Sequence, residues 1–146
     1  MPQLNEQQLK DFLKGGSHLM KLATLTSEGW PYVNPVWYHY EDDGTYLLAG
    51  RRKARWIANI QEDRRVSFCV DTTEPPYTRV IVEGEAEIVD MAWLGDWEDW
   101  AVRYLGQENG HRYYEDTKNT PRVLIRITPR NTTSWAGPGW HPRYEE

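Results

Sequence analysis

A six-stranded antiparallel β-barrel of the α+β class with peripheral helices is the fold the sequence predicts, as one domain over residues 1–146. Three observations predict it. Short β-prone runs follow one another in hairpin order, punctuated by the turns Ser27-Glu28-Gly29 and Glu41-Asp42-Asp43-Gly44. The run Thr78 to Val89 alternates: Val80, Val82, Gly84, Ala86 and Ile88 share one face, and Arg79, Glu83, Glu85 and Glu87 dominate the other, so one side is buried and one wet. Helical signals stand only at the start, at a crossover and late in the chain, and neither a Gly-x-Gly-x-x-Gly nor a Walker-type loop marks a parallel nucleotide-binding fold.

Taken in order, the chain opens on a helix with Asn5 as N-cap, Gln8 completing a capping box, Leu4 and Leu9 as a hydrophobic staple, and Gly15-Gly16 as its end. Strands are predicted over Leu19 to Thr26, Tyr32 to Tyr40 and Thr45 to Ala49, an antiparallel meander. A short helix over Trp56 to Glu62 leads into a strand over Arg65 to Asp71. Glu74-Pro75-Pro76-Tyr77 then breaks the chain before the alternating run. From Ala92 to Leu105, Trp93, Trp97, Trp100, Ala101 and Tyr104 recur at helical spacing, a stripe expected to serve as core or subunit contact. Gln107 to Asn119 reads as less regular. The last strand is Arg122 to Thr128 with Val123, Ile125 and Ile127 inward, and the segment Thr132 to Trp140 is too rich in Gly and Pro to be regular.

A chain of 146 residues with 39% hydrophobic content has room for one core. The start lacks the basic and apolar stretches of a signal peptide, and no run of about 18 apolar residues occurs. A soluble cytoplasmic protein is therefore expected, with no membrane or nucleic-acid partner. The lone Cys69, in Val66-Ser67-Phe68-Cys69-Val70, has no disulfide partner and is expected to be a small buried hydrophobe. The four histidines are scattered with no i, i+4 pair, so no metal site is expected, and without a Gly-x-Ser-x-Gly elbow a serine hydrolase is disfavoured. No residue declares itself catalytic. Aromatic usage leans to eight Trp and nine Tyr against two Phe, a choice of rings with a polar handle that suits stacking sites and interfaces.

Charge is the sharpest local signal. Between Arg51 and Arg65 six cations stand against two carboxylates, on a chain whose formal net charge is −5. Arg51, Arg52, Lys53 and Arg55 fall where a strand runs into the Trp56 helix. Helix-start amides and Arg forks suit a phosphate there, and a solvated basic turn is the competing reading.

The order Leu22-Ala23-Thr24-Leu25, Gly29-Trp30-Pro31, Asn34-Pro35-Val36-Trp37-Tyr38, Asp43-Gly44, Arg52-Lys53-Ala54-Arg55, Arg65-Val66-Ser67-Phe68-Cys69-Val70, Val82-Glu83-Gly84 and Thr133-Ser134-Trp135 resembles the pyridoxamine 5'-phosphate oxidase-like family of split β-barrels, from about Leu9 to Trp135. The nearest branch is that of FMN- and deazaflavin-dependent (coenzyme F-420) reductases. The resemblance implies an FMN-binding split barrel, a homodimer, and cofactor sites built from both subunits. It implies that Arg52 and Lys53 meet the cofactor phosphate, with Arg51, Arg55 and Trp56 in the same turn, that Asn34, Pro35, Val36, Trp37, Tyr38, Leu48 and Ala49 lie along the isoalloxazine, and that Trp135 stands near the partner's site. The stretch from Lys53 to Arg65 is about three residues longer than the common family spacing, which leaves Lys53 and Arg55 as alternatives for the phosphate. His39, on a ring-crowded strand, either touches a ligand or pairs with a backbone carbonyl, and Trp135 and Trp140 are expected to shape the substrate side.

A flavin or deazaflavin carries hydride chemistry itself and asks the protein only to orient it, exclude water and tune the ring, so the missing catalytic dyad fits. The expected function is an FMN- or F-420-dependent oxidoreductase acting on a small unsaturated or quinone-like substrate. The alternatives are a non-catalytic flavin- or heme-binding protein and a pyridoxamine 5'-phosphate oxidase proper.

Overall fold

Why the chain forms a barrel with an opening is explained by one interrupted strand. In the computed structural model, which describes residues 3–137, the segment expected as a single strand over Tyr32 to Tyr40 is two: β2 (Pro31–Val36) and β3 (His39–Tyr40). β2 pairs with β1 (Met20–Leu25), while β3 pairs with β4 (Tyr46–Gly50). With β5 (Arg65–Asp71), β6 (Thr78–Trp93) and β7 (Arg122–Ala136) they make one antiparallel sheet in the order β2-β1-β5-β6-β7-β4-β3. The six expected strands are thus seven; both pairings of the expected meander are present, β1 with β2 and β3 with β4, divided between the two ends of the sheet because β4 takes β7 on its other side. The two edges of the sheet belong to one continuous stretch of chain. The barrel is closed there by the peptide chain at Trp37-Tyr38, with no β2–β4 ladder, and this is its split.

The break has a physical cause. Pro35 has no N–H to give to a further strand, which suits an edge. At Tyr38 the backbone leaves the ladder and finds partners elsewhere: its N–H donates to the Tyr104 hydroxyl at 3.2 Å and its carbonyl accepts from Arg103 Nη1 at 3.0 Å. The Tyr38 ring turns inward, 1% exposed, and its hydroxyl donates to the Leu13 carbonyl at 2.8 Å. Satisfied polar groups make an interrupted strand tolerable inside a fold.

Helix α1 (Glu6–Lys14) has the expected capping box: Asn5 Oδ1 accepts from the Gln8 N–H at 2.8 Å, and Gln8 Oε1 accepts from the Asn5 N–H at 2.9 Å. Helix α2 (Arg55–Glu62) follows β4, and Ile57 and Ile60 bury one face against the barrel. The core holds Leu13, Met20, Leu22, Tyr46, Leu48, Ile57, Phe68, Val80, Val82, Ile125 and Ile127, drawn from α1, α2 and the inner face of the sheet. Val66, Phe68 and Val70 take the inward positions of β5, so Cys69 points outward and is partly exposed, which corrects its reading as a buried hydrophobe.

Beyond Val89 three expectations are corrected. β6 runs on to Trp93, which pairs with Arg122, so the helix expected from Ala92 begins only at Glu98, as α3 (Glu98–Leu105). Gln107 to Asn119 is regular after all: α4 (Gln107–Thr117) follows Gly106, whose φ of 88° lets one residue turn the chain between two helices. α4 crosses α3 at Gly110, where a Cβ would lie 2.5 Å from Val102 Cα, so the glycine that looks like a helix breaker is the point of closest helix contact. The stretch Thr132 to Ala136 is strand, paired with Thr78 to Val82, because its residues are β-formers and the run of Gly and Pro starts only at Gly137. No helix among the described residues is long and apolar enough to cross a membrane.

Candidate functional site

The split leaves β2 and β4 side by side without hydrogen bonds. The start of α2 stands beside the gap, and α3 and α4 cover it. A slot of about 500 Å³ results, within the size range of ligand pockets, lined by β2 (Asn34, Pro35, Val36) with Trp37, by β4 (Ala49, Gly50), by the basic turn and α2 (Arg51, Lys53, Ala54, Trp56), and by Trp97, Trp100, Tyr113 and Arg122.

Its walls are aromatic because local packing holds each ring. Trp56, in the first turn of α2, lies across Gly50, where a Cβ would come within 2.4 Å of the indole. Trp37 is fixed from outside by a parallel stack on Tyr104, 5.0 Å between centroids and 3° between planes, and meets Tyr113 edge-on at 5.8 Å. Trp97, 3% exposed, packs edge-on against Tyr113 and Tyr114 at 5.6 and 4.9 Å. Rings locked by neighbours make a flat-sided slot that loses little entropy on binding a planar ligand.

The electrostatics run one way. Arg51, Lys53 and Arg122 line the slot, and among the described residues no lining residue is acidic, on a chain of net charge −5. The N-cap of α2, Ala54, makes no side-chain cap bond, so the positive end of the helix at the slot is not masked by its own sequence. Arg122 is 8% exposed: its Nη2 donates to Thr117 Oγ1 at 3.1 Å and to the Tyr113 hydroxyl at 3.3 Å, and its guanidinium lies 4.0 Å over the Trp97 ring. Burial alone pushes the Tyr113 phenol up, yet hydrogen bonds and charge from Arg122 and Arg51 together carry it below its ordinary value. Asn34 Oδ1 is buried without a hydrogen-bond partner, an orphaned acceptor in the wall of the slot.

Of the residues singled out in the sequence, Asn34, Pro35, Val36, Trp37, Ala49, Arg51, Lys53 and Trp56 line the slot. Tyr38 is at the barrel break, and Leu48 is fully buried in the core. Arg52 Nε donates to the Met91 carbonyl at 3.0 Å, and Arg55 lies over the Tyr32 ring at 5.0 Å. His39 belongs to a separate hollow of about 280 Å³; it stacks on Trp100 at 5.3 Å, and that indole is the wall between the two cavities. Trp135 stands on β7 beside Arg79, whose guanidinium lies 5.1 Å from its ring. Trp140 lies outside the described residues. Sequence reasoning missed Trp97, Trp100, Tyr113 and Arg122 as slot residues. The Trp spacing was visible, but only the α3–α4 turn at Gly106 shows that its rings face the β2–β4 gap.

An antiparallel barrel opened at one seam, with a ligand-sized slot in the opening, defines a split-barrel protein. More particularly, the chain belongs to the pyridoxamine 5'-phosphate oxidase family, whose model matches residues 6–136. Among solved structures it is similar to a conserved hypothetical protein of Mycobacterium tuberculosis (28% identity over 91% of this chain and 85% of that one, TM-score 0.72). It is also similar to an F420 reductase (21% identity, 84% and 94% coverage, TM-score 0.66) and to HutZ, the heme storage protein of Vibrio cholerae (20% identity, 90% and 96% coverage, TM-score 0.65). Comparison with curated protein sequences returns no match.

Proposed function

We propose that the slot binds a phosphate-bearing flavin or deazaflavin, FMN or coenzyme F-420, and that the chain uses it to pass hydride to or from a small planar substrate, unsaturated or quinone-like. The carrying observation is a flat aromatic slot whose charged lining, among the described residues, is wholly positive and whose orphaned acceptor, Asn34 Oδ1, sits on the β2 wall. Lys53 and Arg51, with the open start of α2, would hold the phosphate. Asn34 Oδ1 would accept from a ring-edge N–H of an imide type, which a flavin or deazaflavin ring carries. Trp37 and Trp56 would keep water from the ring faces. When bound, the ring itself gives or takes the hydride, and the protein's part is position and dryness. The same reading makes the chain a homodimer with two such sites.

A second reading, a non-catalytic holder of flavin or heme, is favoured by the likeness to a heme storage protein. Among the described residues lining the slot there is no His, Cys or Met, so a heme held there by this chain would take Tyr113 as its iron ligand. Titration of the purified chain with FMN, coenzyme F-420 and hemin, followed by mixing the reduced complex with a quinone acceptor or with pyridoxamine 5'-phosphate, separates the readings. The proposal expects FMN or F-420 to bind and the reduced complex to reduce the quinone faster than free reduced cofactor does. Flavin binding without that acceleration, or binding of hemin alone, supports the holder; oxidation of pyridoxamine 5'-phosphate supports the family's namesake reaction.

A further inference from the structure

Arg122 is an unusual residue to find inside a small protein. It is 8% exposed, and among the described residues no carboxylate lies within ion-pair distance of it. A buried charge is costly unless it is paired, and here its partners are neutral: the Thr117 and Thr120 carbonyls, both at 3.4 Å, Thr117 Oγ1 at 3.1 Å, and the Trp97 face. The remaining partner is the Tyr113 hydroxyl, which accepts from Arg122 Nη2 and lies against Arg51 as well. A phenol oxygen that accepts from a guanidinium, with a second guanidinium beside it, turns its own O–H elsewhere. Tyr113, Arg51 and Arg122 all line the slot, so an anionic ligand there has this hydroxyl as a donor with two positive charges behind it.

We infer that Tyr113, backed by Arg122 and Arg51, is an oxyanion subsite of the slot, and that the substrate it selects carries a carboxylate. This rests on the slot being the ligand site proposed above and adds the substrate class to it. The subsite shares Arg51 with the phosphate clamp but is carried by other elements: Lys53 and the α2 start lie on the basic turn, whereas Arg122 opens β7 and Tyr113 belongs to α4. The two places take chemically similar groups, so an anion at Tyr113 has two sources, a substrate carboxylate or the cofactor phosphate. A hydroxyl polarised by the buried Arg122, with the Arg51 charge beside it, fits one oxygen of a carboxylate, and the low exposure of Arg122 keeps that charge little screened.

The test uses the full chain and two probe pairs, benzoate against benzamide and FMN against riboflavin, all followed by tryptophan fluorescence. Benzoate should bind at least tenfold tighter than benzamide to the wild type. Arg122→Gln should erase that ratio, and Tyr113→Phe, which keeps the ring between Trp37 and Trp97 and removes only the hydroxyl, should cut it at least fivefold. Arg122 also holds the end of α4, so if Arg122→Gln does not fold, Tyr113→Phe decides. An equal affinity of the wild type for benzoate and benzamide overturns the inference, as does an unchanged ratio in folded Tyr113→Phe. Collapse of the FMN-to-riboflavin ratio in these variants with the benzoate ratio intact assigns the anion to the cofactor and also overturns it. The fluorescence readout needs no cofactor, so failure of the flavin reading appears separately, as benzoate selectivity without FMN binding.

Discussion

Arg103 shows how much one side chain can organise. Its guanidinium donates to the carbonyls of Gly16, Tyr38, Leu13 and Gly15 and to the Tyr38 hydroxyl, between 2.8 and 3.3 Å, and it lies 4.8 Å over the Tyr38 ring. It ties α3 to the end of α1 and to the point where the barrel opens. Replacing it with Met keeps the stem and leaves those acceptors to water, so Arg103→Met should cost about 2 kcal/mol in urea unfolding and loosen α3 over the slot. The nearby His18 stacks on Phe12 at 4.8 Å, and burial, with the positive charge of Arg103 adding to it, holds its imidazole below the usual value. The neutral form is favoured in the folded state, so the unfolded chain binds more protons, and His18 withdraws stability as pH falls through its unfolded value of about 6.5, levelling off below the folded value. The urea midpoint of the wild type should therefore fall more than that of His18→Asn between about pH 7.5 and 5.5, with the His111–Glu98 pair, which acts in the opposite sense, common to both. The Asn5–Gln8 box was legible in the sequence because its partners are three residues apart. Arg103 was not, because its acceptors are 65 to 90 residues away.

At the scale of elements, the covering of the slot depends on how closely α3 and α4 approach. Gly110 has no room for a side chain against Val102 and Ala101, so Gly110→Ala should force the helices apart and destabilise the fold by about 1–3 kcal/mol. The same change moves Tyr113 and should weaken ligand binding; Gly106→Asn, although its Cβ position is open, places a side chain at φ 88° and ψ 167°, a region only glycine adopts freely, and should likewise destabilise the α3–α4 turn and weaken binding. Thermal unfolding and FMN titration of the two variants check this. The local pattern of caps, breakers and alternation gave α1, α2, β5 and the alternating half of β6 within a residue or so of their ends. It joined β2 to β3 because Trp37 and Tyr38 are as β-prone as their neighbours. The partners that end the ladder, Arg103 and Tyr104, come from a helix that follows much later. It also placed the start of α3 too early, since a tryptophan at helical spacing serves equally well at the end of a strand.

On the whole molecule, charge and surface point to different partners. The outer face of the sheet across β2, β1, β5 and β6 joins a neutral strip, in which Val33 stands opposite Ala23, Ala23 opposite Ser67 and Cys69 opposite Ile81, to charges of both signs on Lys21, Arg65, Asp71, Arg79, Glu83 and Glu85, and Trp30 is 70% and Val33 63% exposed beside it. Such a face suits a second copy of the chain, and the account predicts sedimentation at micromolar concentration with twice the chain mass of 17.2 kDa; a monomer that still binds cofactor would refute a two-subunit site. The barrel class and the basic turn were legible in the sequence. The slot's far wall was not, since Tyr113 and Arg122 meet Arg51 only when β4 pairs with β7 and α4 folds over the seam. The most direct test of the central claim, that the split binds a flavin-type cofactor with its phosphate at the start of α2, is the affinity for FMN and for riboflavin in the wild type and in Arg51→Ala/Lys53→Ala. Charge-assisted bonds are worth about 1.5–3 kcal/mol each, so the double variant should lose FMN affinity by roughly tenfold or more while riboflavin affinity stays within a few fold. Unchanged FMN affinity in a folded double variant, or a loss seen only with Arg55→Ala, would contradict it.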